Sequence, residues 1–167
     1  MVLTKSELIA SLQNEVRILL HLAGKIDRAT LDYRPTPKQR STTELLRYLT
    51  VMGPALVRAA KSGAFDPAAW TAAENAASVG DFDQTLVALA AQSAVYAELL
   101  ADVSDADFRA EVEIFGGKCS RGAFLVNTVL CGCAAYRTQI FLYLKSCGRQ
   151  DLNTMNLWAG VDPPRKD

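Results

Sequence analysis

Leu8, Ile9, Leu12, Val16, Leu19, Leu20 and Ala23 recur at steps of three and four residues. At about 100° per residue they share a stripe roughly 120° wide, which predicts an amphipathic helix over about residues 5–25. Ser41-Thr-Thr-Glu44 has the form of a capping box, in which the serine accepts from the first turn and the glutamate reaches back. Leu45, Leu46, Leu49, Met52, Leu56, Val57 and Ala60 follow it as the stripe of a second helix. Gly53-Pro54 falls inside that stripe, and a proline without an N–H predicts a kink or short break there. Asp81 to Gln84 repeats the capping pattern ahead of Leu86, Leu89, Ala90, Ser93, Ala97 and Leu100, a third helix reaching about Asp102. Ser120 is placed to cap a fourth helix that runs to Cys147 and stops at Gly148.

Between these helices lie three segments punctuated by proline and glycine: Asp27–Arg40, Ser62–Gly80 and Ser104–Lys118. Within the last, Val112–Phe115 has the composition of a short extended piece. The expectation is an all-α, up-and-down four-helix bundle with irregular connections, built as a single domain over residues 1–167.

Charge narrows the function classes. Eighteen basic and eighteen acidic side chains cancel, so the basic excess of a nucleic-acid or anionic-membrane binder is missing. The segment Ala123 to Leu144 is long and mostly apolar, but Asn127, Arg137 and Gln139 interrupt it. An arginine near a bilayer centre costs about 2.5–3.5 kcal/mol, which favours a buried helix over a membrane span. The N-terminal residues lack the apolar core of an export signal, so the expectation is a cytoplasmic protein with reduced thiols.

Phosphate-loop, dinucleotide and zincin signatures are missing. His21 projects away from the first helix's apolar stripe, next to Asn14 and Arg17, and reads as a solvated side chain. In a continuous helix Cys119 and Cys147 lie about 42 Å apart, and Cys131 and Cys133 point roughly 160° apart. The four cysteines are therefore expected to form neither a zinc site nor an intramolecular disulfide. Asp81/Asp83 and Asp105/Asp107 fall at helix starts, where capping explains them.

The fourth helix is more informative. Leu125, Val129, Gly132, Tyr136, Gln139 and Tyr143 lie within roughly 80° of one another. Two tyrosines and a glutamine on a core-facing stripe need backbone partners, or a pocket holding water or a ligand. Gly132 would leave room beside Tyr136, and Tyr48 is placed to meet the stripe from the second helix. Leu130, Ala134 and Phe141 form a further apolar face roughly 160° away, which is either covered by the chain itself or meets another subunit, and the second is the expectation, as a two-fold homodimer.

The runs LDYRPTPKQRSTTELLRYL and AAYRTQIFLYLKSCG give the chain a resemblance to the DinB-like (DinB/YfiT) family of bacterial helical proteins, over about Leu31 to Gly148. The resemblance implies the helical bundle and a metal held by three histidines, one in the second helix and an H-x3-H pair in the last. Those positions fall here at Tyr48, Gly132 and Tyr136, just before Arg137 and Gln139. Neither glycine nor a neutral tyrosine replaces an imidazole, so neither a metal nor any other cofactor is expected. Two readings follow. One is a protein binding a small ligand through Tyr48, Gly132, Tyr136, Gln139 and Tyr143. The other is a metal-independent transferase or hydrolase using Tyr48, Tyr136 or a fourth-helix cysteine, which a strongly shifted thiol or tyrosine pKa would favour.

Overall fold

Helix α1, Lys5–Ala23, begins with a capping box in which the Thr4 hydroxyl accepts from the Glu7 N–H and the Glu7 carboxylate accepts from the Thr4 N–H. Leu8, Leu12, Val16, Leu19 and Leu22 form its buried face. The computed structural model describes residues 3–164. Helix α2, Thr42–Ser62, starts on the Ser41/Glu44 capping box. It ends where Gly63 turns left-handed at φ +81°.

Helix α4, Phe82–Leu100, starts on the equivalent box of Asp81 and Gln84. The last helical run is continuous but changes pitch. An α-turn at Arg121–Phe124, α5, is capped by Ser120, passes through a π segment at Leu125–Leu130, and continues as α6, Cys131–Ser146. α1 packs on α4, α2 packs on α4, and α6 packs on α1 and α2, so these helices enclose one core.

Several sequence expectations need correction. Six α-helices are present among the described residues, rather than four, because Ser62–Gly80 contains α3, Pro67–Ser78, and the π segment divides the last helical run into α5 and α6. Asp66 caps it through Ala69 N, and Pro67 supplies a first-turn residue whose missing N–H costs nothing. The fold is mostly helical but not purely α. Strands β1, Glu111–Ile114, and β2, Gly117–Ser120, pair antiparallel with Val112 opposite Cys119, and Val112 and Ile114 point into the core.

The third correction concerns Gly53-Pro54. α2 runs through both residues without a break. The proline deprives the Thr50 carbonyl of its helical donor, a loss of about 3 kcal/mol in an isolated helix interior. Here α4 braces the same turn. Gln92, itself buried, donates from Nε2 to the Leu49 carbonyl at 2.7 Å and accepts from the Tyr96 hydroxyl at 3.0 Å. Tyr96 is fully buried, and its ring lies so close to Gly53 that a β-carbon there would overlap the hydroxyl and stand 3.0 Å from Cζ. The glycine gives the phenol its seat, and the turn is held by side chains of the neighbouring helix.

Beyond α6 the chain folds back along α1. Arg17 donates to the carbonyls of Ala159 and Gly160, and Arg149 donates to that of Lys25. His21 is consequently covered rather than solvated, its Nε2 standing 3.1 Å from Asn156 Nδ2. Leu130 and Phe141, expected on an open face, are half-buried against the chain's own core. The face left open on α6 carries Cys131, Ala135 and Leu142 instead.

Gly53→Ala tests the brace. Overpacking of this kind costs about 1–3 kcal/mol, to be read as a lower urea midpoint. Because the closest overlap is with the hydroxyl, the same substitution in a Tyr96→Phe background is expected to cost clearly less.

Candidate functional site

Tyr48 lies on the face of α2 that looks past the core. Its ring meets Tyr136 of α6 edge-on, with centroids 5.1 Å apart, and Trp70 of α3 edge-on at 5.9 Å. The Arg40 guanidinium covers the Tyr48 ring at 3.9 Å, a cation–π contact. Burial, and then the neighbouring Tyr136 hydroxyl, hold the Tyr48 phenol well above its ordinary pKa, so it is neutral at every physiological pH. Beside it opens a cavity of about 270 Å³ lined by Arg40, Glu44, Arg47, Glu74 and Ser78. Arg47 is committed to the Gly80 carbonyl, and Glu44 to the Ser41 N–H and Arg34. Among the described residues Arg40 and Glu74 form no ion pair.

The other predicted site residues have different surroundings. At Gly132 a β-carbon would touch the Met52 thioether, 3.4 Å from Cε, so the room expected beside Tyr136 is bordered by methionine. Gln139 donates from Nε2 to the Tyr143 hydroxyl, which donates to the Arg40 carbonyl at 3.0 Å. Tyr143 is buried, with Tyr33 packed edge-on at 5.4 Å. The structure thus brings Tyr48 and Tyr136 together. Gln139 and Tyr143 anchor the segment that carries Arg40, one step removed from the cavity.

Deeper in the core, burial first and the Glu15 charge second push the Cys133 thiol up to about 12. The adjacent Tyr96 phenol is also raised, mainly by burial. Cys133 neighbours an ion pair between α1 and α6, Glu15 Oε1 to Arg137 Nη1 at 3.2 Å, with Trp158 over the guanidinium. Burial raises the Glu15 carboxyl despite that arginine, and Glu15 Oε2 and Arg137 Nε have no hydrogen-bond partner. The thiol and phenol shifts are large, as the enzymatic reading asks, but their direction is the wrong one. A nucleophilic thiol needs a lowered pKa, and burial holds Cys133 and Tyr96 protonated.

The metal implied by the family resemblance does not fit this arrangement. Tyr48 and Tyr136 place two aromatic rings in contact, and a thioether lies against Gly132. Among the described residues no three His, Cys, Asp or Glu side chains converge to hold a metal ion. His21 is engaged with Asn156 at the far side of α1.

Two features escaped the sequence reading. Arg40 was part of a connection, with nothing in its spacing to show that it would fold over Tyr48. The π segment also borders a cleft of about 730 Å³, where Val126 and Asn127 face Leu8 and Phe108. A pitch change of this kind has no compositional signature, though π turns recur near functional sites.

The four cysteines are all free, with Cys131 exposed and Cys119, Cys133 and Cys147 half-buried. A thiol reagent added to native protein at neutral pH is expected to label Cys131 first and Cys133 slowly. Rapid labelling of Cys133 in the Cys131→Ser variant would contradict the protonated thiol. Unfolded, unreduced protein should titrate four thiols.

No family model matches the sequence, and no curated protein does. Among the described residues no helix is long and apolar enough to cross a membrane. The structure is similar to the crystal structure of a DinB-like protein, YjoA, from Bacillus subtilis, with a TM-score of 0.66 at 15% identity, over 87% of this chain and 95% of that one. At that identity the likeness is one of architecture, and the chain has the fold of a DinB-like protein.

Proposed function

We propose that this chain is a single-domain binding protein for a small polar ligand, held at the Tyr48–Tyr136 contact on a DinB-like helical bundle without the metal. The observation that carries the reading is Arg40. Its guanidinium is stacked on Tyr48 at 3.9 Å, beside a cavity of about 270 Å³, and no carboxylate neutralises it among the described residues. A charged, flat donor pre-positioned on an aromatic ring suits a ligand with an acceptor or anionic group. Glu74, across the cavity, suits a ligand that also carries a donor. Gln139 and Tyr143 serve the site by fixing the Arg40 backbone, and Gly132 lies one turn before Tyr136, against Met52.

The raised Tyr48 and Cys133 groups favour binding over the metal-independent transferase or hydrolase, since neither supplies an ionised nucleophile at neutral pH. The proposal includes the cytoplasm as compartment, where four free thiols stay reduced. It also includes a two-fold homodimer. Between Gly122 and Leu144 only Arg137 is ionised, and it is buried, so the open face of α6 around Cys131, Ala135 and Leu142 carries no charge. Helices normally turn a charged face to water.

Native mass spectrometry of gently purified protein, followed by a thermal-shift screen of charged metabolite-sized compounds, tests the site. A retained or stabilising ligand is expected in wild type and should be lost in Arg40→Ala, whose fold should persist. Compounds that stabilise both proteins equally would place binding elsewhere. Near-stoichiometric zinc, nickel or iron between Tyr48 and Tyr136 would overturn the reading. For the assembly, sedimentation at micromolar concentration is expected to show a dimer, and Leu142→Glu to shift it to monomer.

A further inference from the structure

We propose that the groove between α2 and α3 is a second binding site, for a small aromatic monocarboxylate whose ring lies against Phe65 and Trp70 and whose carboxylate meets Arg58. The groove has a volume of about 510 Å³ and shares only Val51 with the lining of the Tyr48 cavity. That volume is within the range of small-molecule sites.

Its shape follows from sequence. α3 has no buried residue, and on the groove side it presents Ala69 and Ala73, which are too short to fill the space above Val51, Pro54 and Ala55 of α2. Phe65 and Trp70 line the groove, their rings tilted and 5.5 Å apart. Phe115, at the tip of the β1–β2 hairpin, packs on Phe65 at 5.0 Å. Phe115 is the one non-glycine residue with positive φ among those described, at +56°, and it is 63% exposed. Asparagine, aspartate and glycine adopt that turn position readily, whereas a bulky residue there is strained. A mostly exposed phenylalanine in a strained turn is a poor choice for stability alone. Its ring extends the aromatic surface behind Phe65, which gives the choice a purpose.

The charge on the groove is one-sided. Arg58 is exposed and forms no ion pair or hydrogen bond among the described residues. Asp66, the one carboxylate of the lining, is occupied as the α3 cap, accepting from Ala69 N at 2.9 Å. An apolar, aromatic-sided groove with one free guanidinium selects a flat apolar body bearing one negative charge.

Calorimetric titration of the full chain with naphthalene-2-carboxylate tests the proposal, with naphthalene-2-methanol as the neutral counterpart. Saturable one-to-one binding of the carboxylate is expected, weakened about tenfold in Arg58→Ala, the scale of one charge-assisted contact. The alcohol should bind wild type no better than the carboxylate binds that variant. Ala73→Leu, which fills the groove, should keep its melting temperature and abolish binding. Binding that survives Ala73→Leu would overturn the assignment, and alcohol binding as tight as carboxylate binding would overturn the role of Arg58. The absence of saturation at concentrations on the order of 1 mM, where binding is worth about 4 kcal/mol, would remove the site altogether.

Discussion

The seat of Tyr96 on Gly53 is the constraint on which the rest of the structure depends. α2 touches α3, α4 and α6, yet it carries a proline in its middle. The local preference at Gly53-Pro54 is for a break, and the tertiary structure reverses it. A bare glycine admits the tyrosine ring, the hydroxyl donates to Gln92 Oε1, and Gln92 Nε2 donates to the Leu49 carbonyl. Each buried polar atom in that relay has a partner, and each such bond contributes about 1 kcal/mol net while avoiding a larger desolvation cost. The relay turns a weak turn of one helix into a contact between two.

Continuity of α2 in turn sets the phase of its outer face. Tyr48, Val51, Ala55 and Arg58 follow one another at steps of three, four and three, within roughly 80° on a helical wheel. Leu49, Met52, Leu56 and Val57 occupy the buried side. A break at Gly53 would separate Tyr48 from Arg58 and leave α3 without a continuous partner. Trp70 touches Tyr48 and, with Phe65, lines the groove that Arg58 borders, so the Tyr48 cavity and the groove are read from one uninterrupted helical surface. The same proline that threatens the helix forms part of that groove's lining.

What was legible in the sequence was whatever a short range of residues decides. The Ser41/Glu44 and Asp81/Gln84 boxes formed as read, and so did the apolar stripe of α1, because caps and periodicity are settled within a few residues. α3 was invisible for a physical reason. It buries nothing, so it has no apolar stripe to find, and its Pro67 marks a start that reads equally well as a loop. The second strand of the hairpin was missed because Phe115 holds a turn position usually marked by asparagine or aspartate. The approach of Tyr48 to Tyr136 was legible from helix phase alone. The stacking of Arg40 was not, since Tyr143 holds its backbone carbonyl from about a hundred residues away, and the cover that Asn156 places on His21 is likewise long-range.

The distribution of charge then separates two kinds of polar residue. Groups inside the helical core are discharged or paired: burial keeps Tyr96 and Cys133 protonated, raises Glu15, and matches Arg137 to that carboxylate. Such groups position helices but have little freedom to meet a ligand. Arg40 and Arg58 lie at the edges of the two α2 cavities, and of the carboxylates in those linings Glu44 and Asp66 are occupied by helix caps, which leaves Glu74 as the remaining acid of the Tyr48 cavity. Capping thus has a second consequence here. By committing those carboxylates to backbone N–H groups, it leaves the guanidiniums beside them without an internal counter-ion. The proposed recognition chemistry therefore lies along the α2–α3 side, with one such guanidinium at each cavity for an acceptor or anionic group.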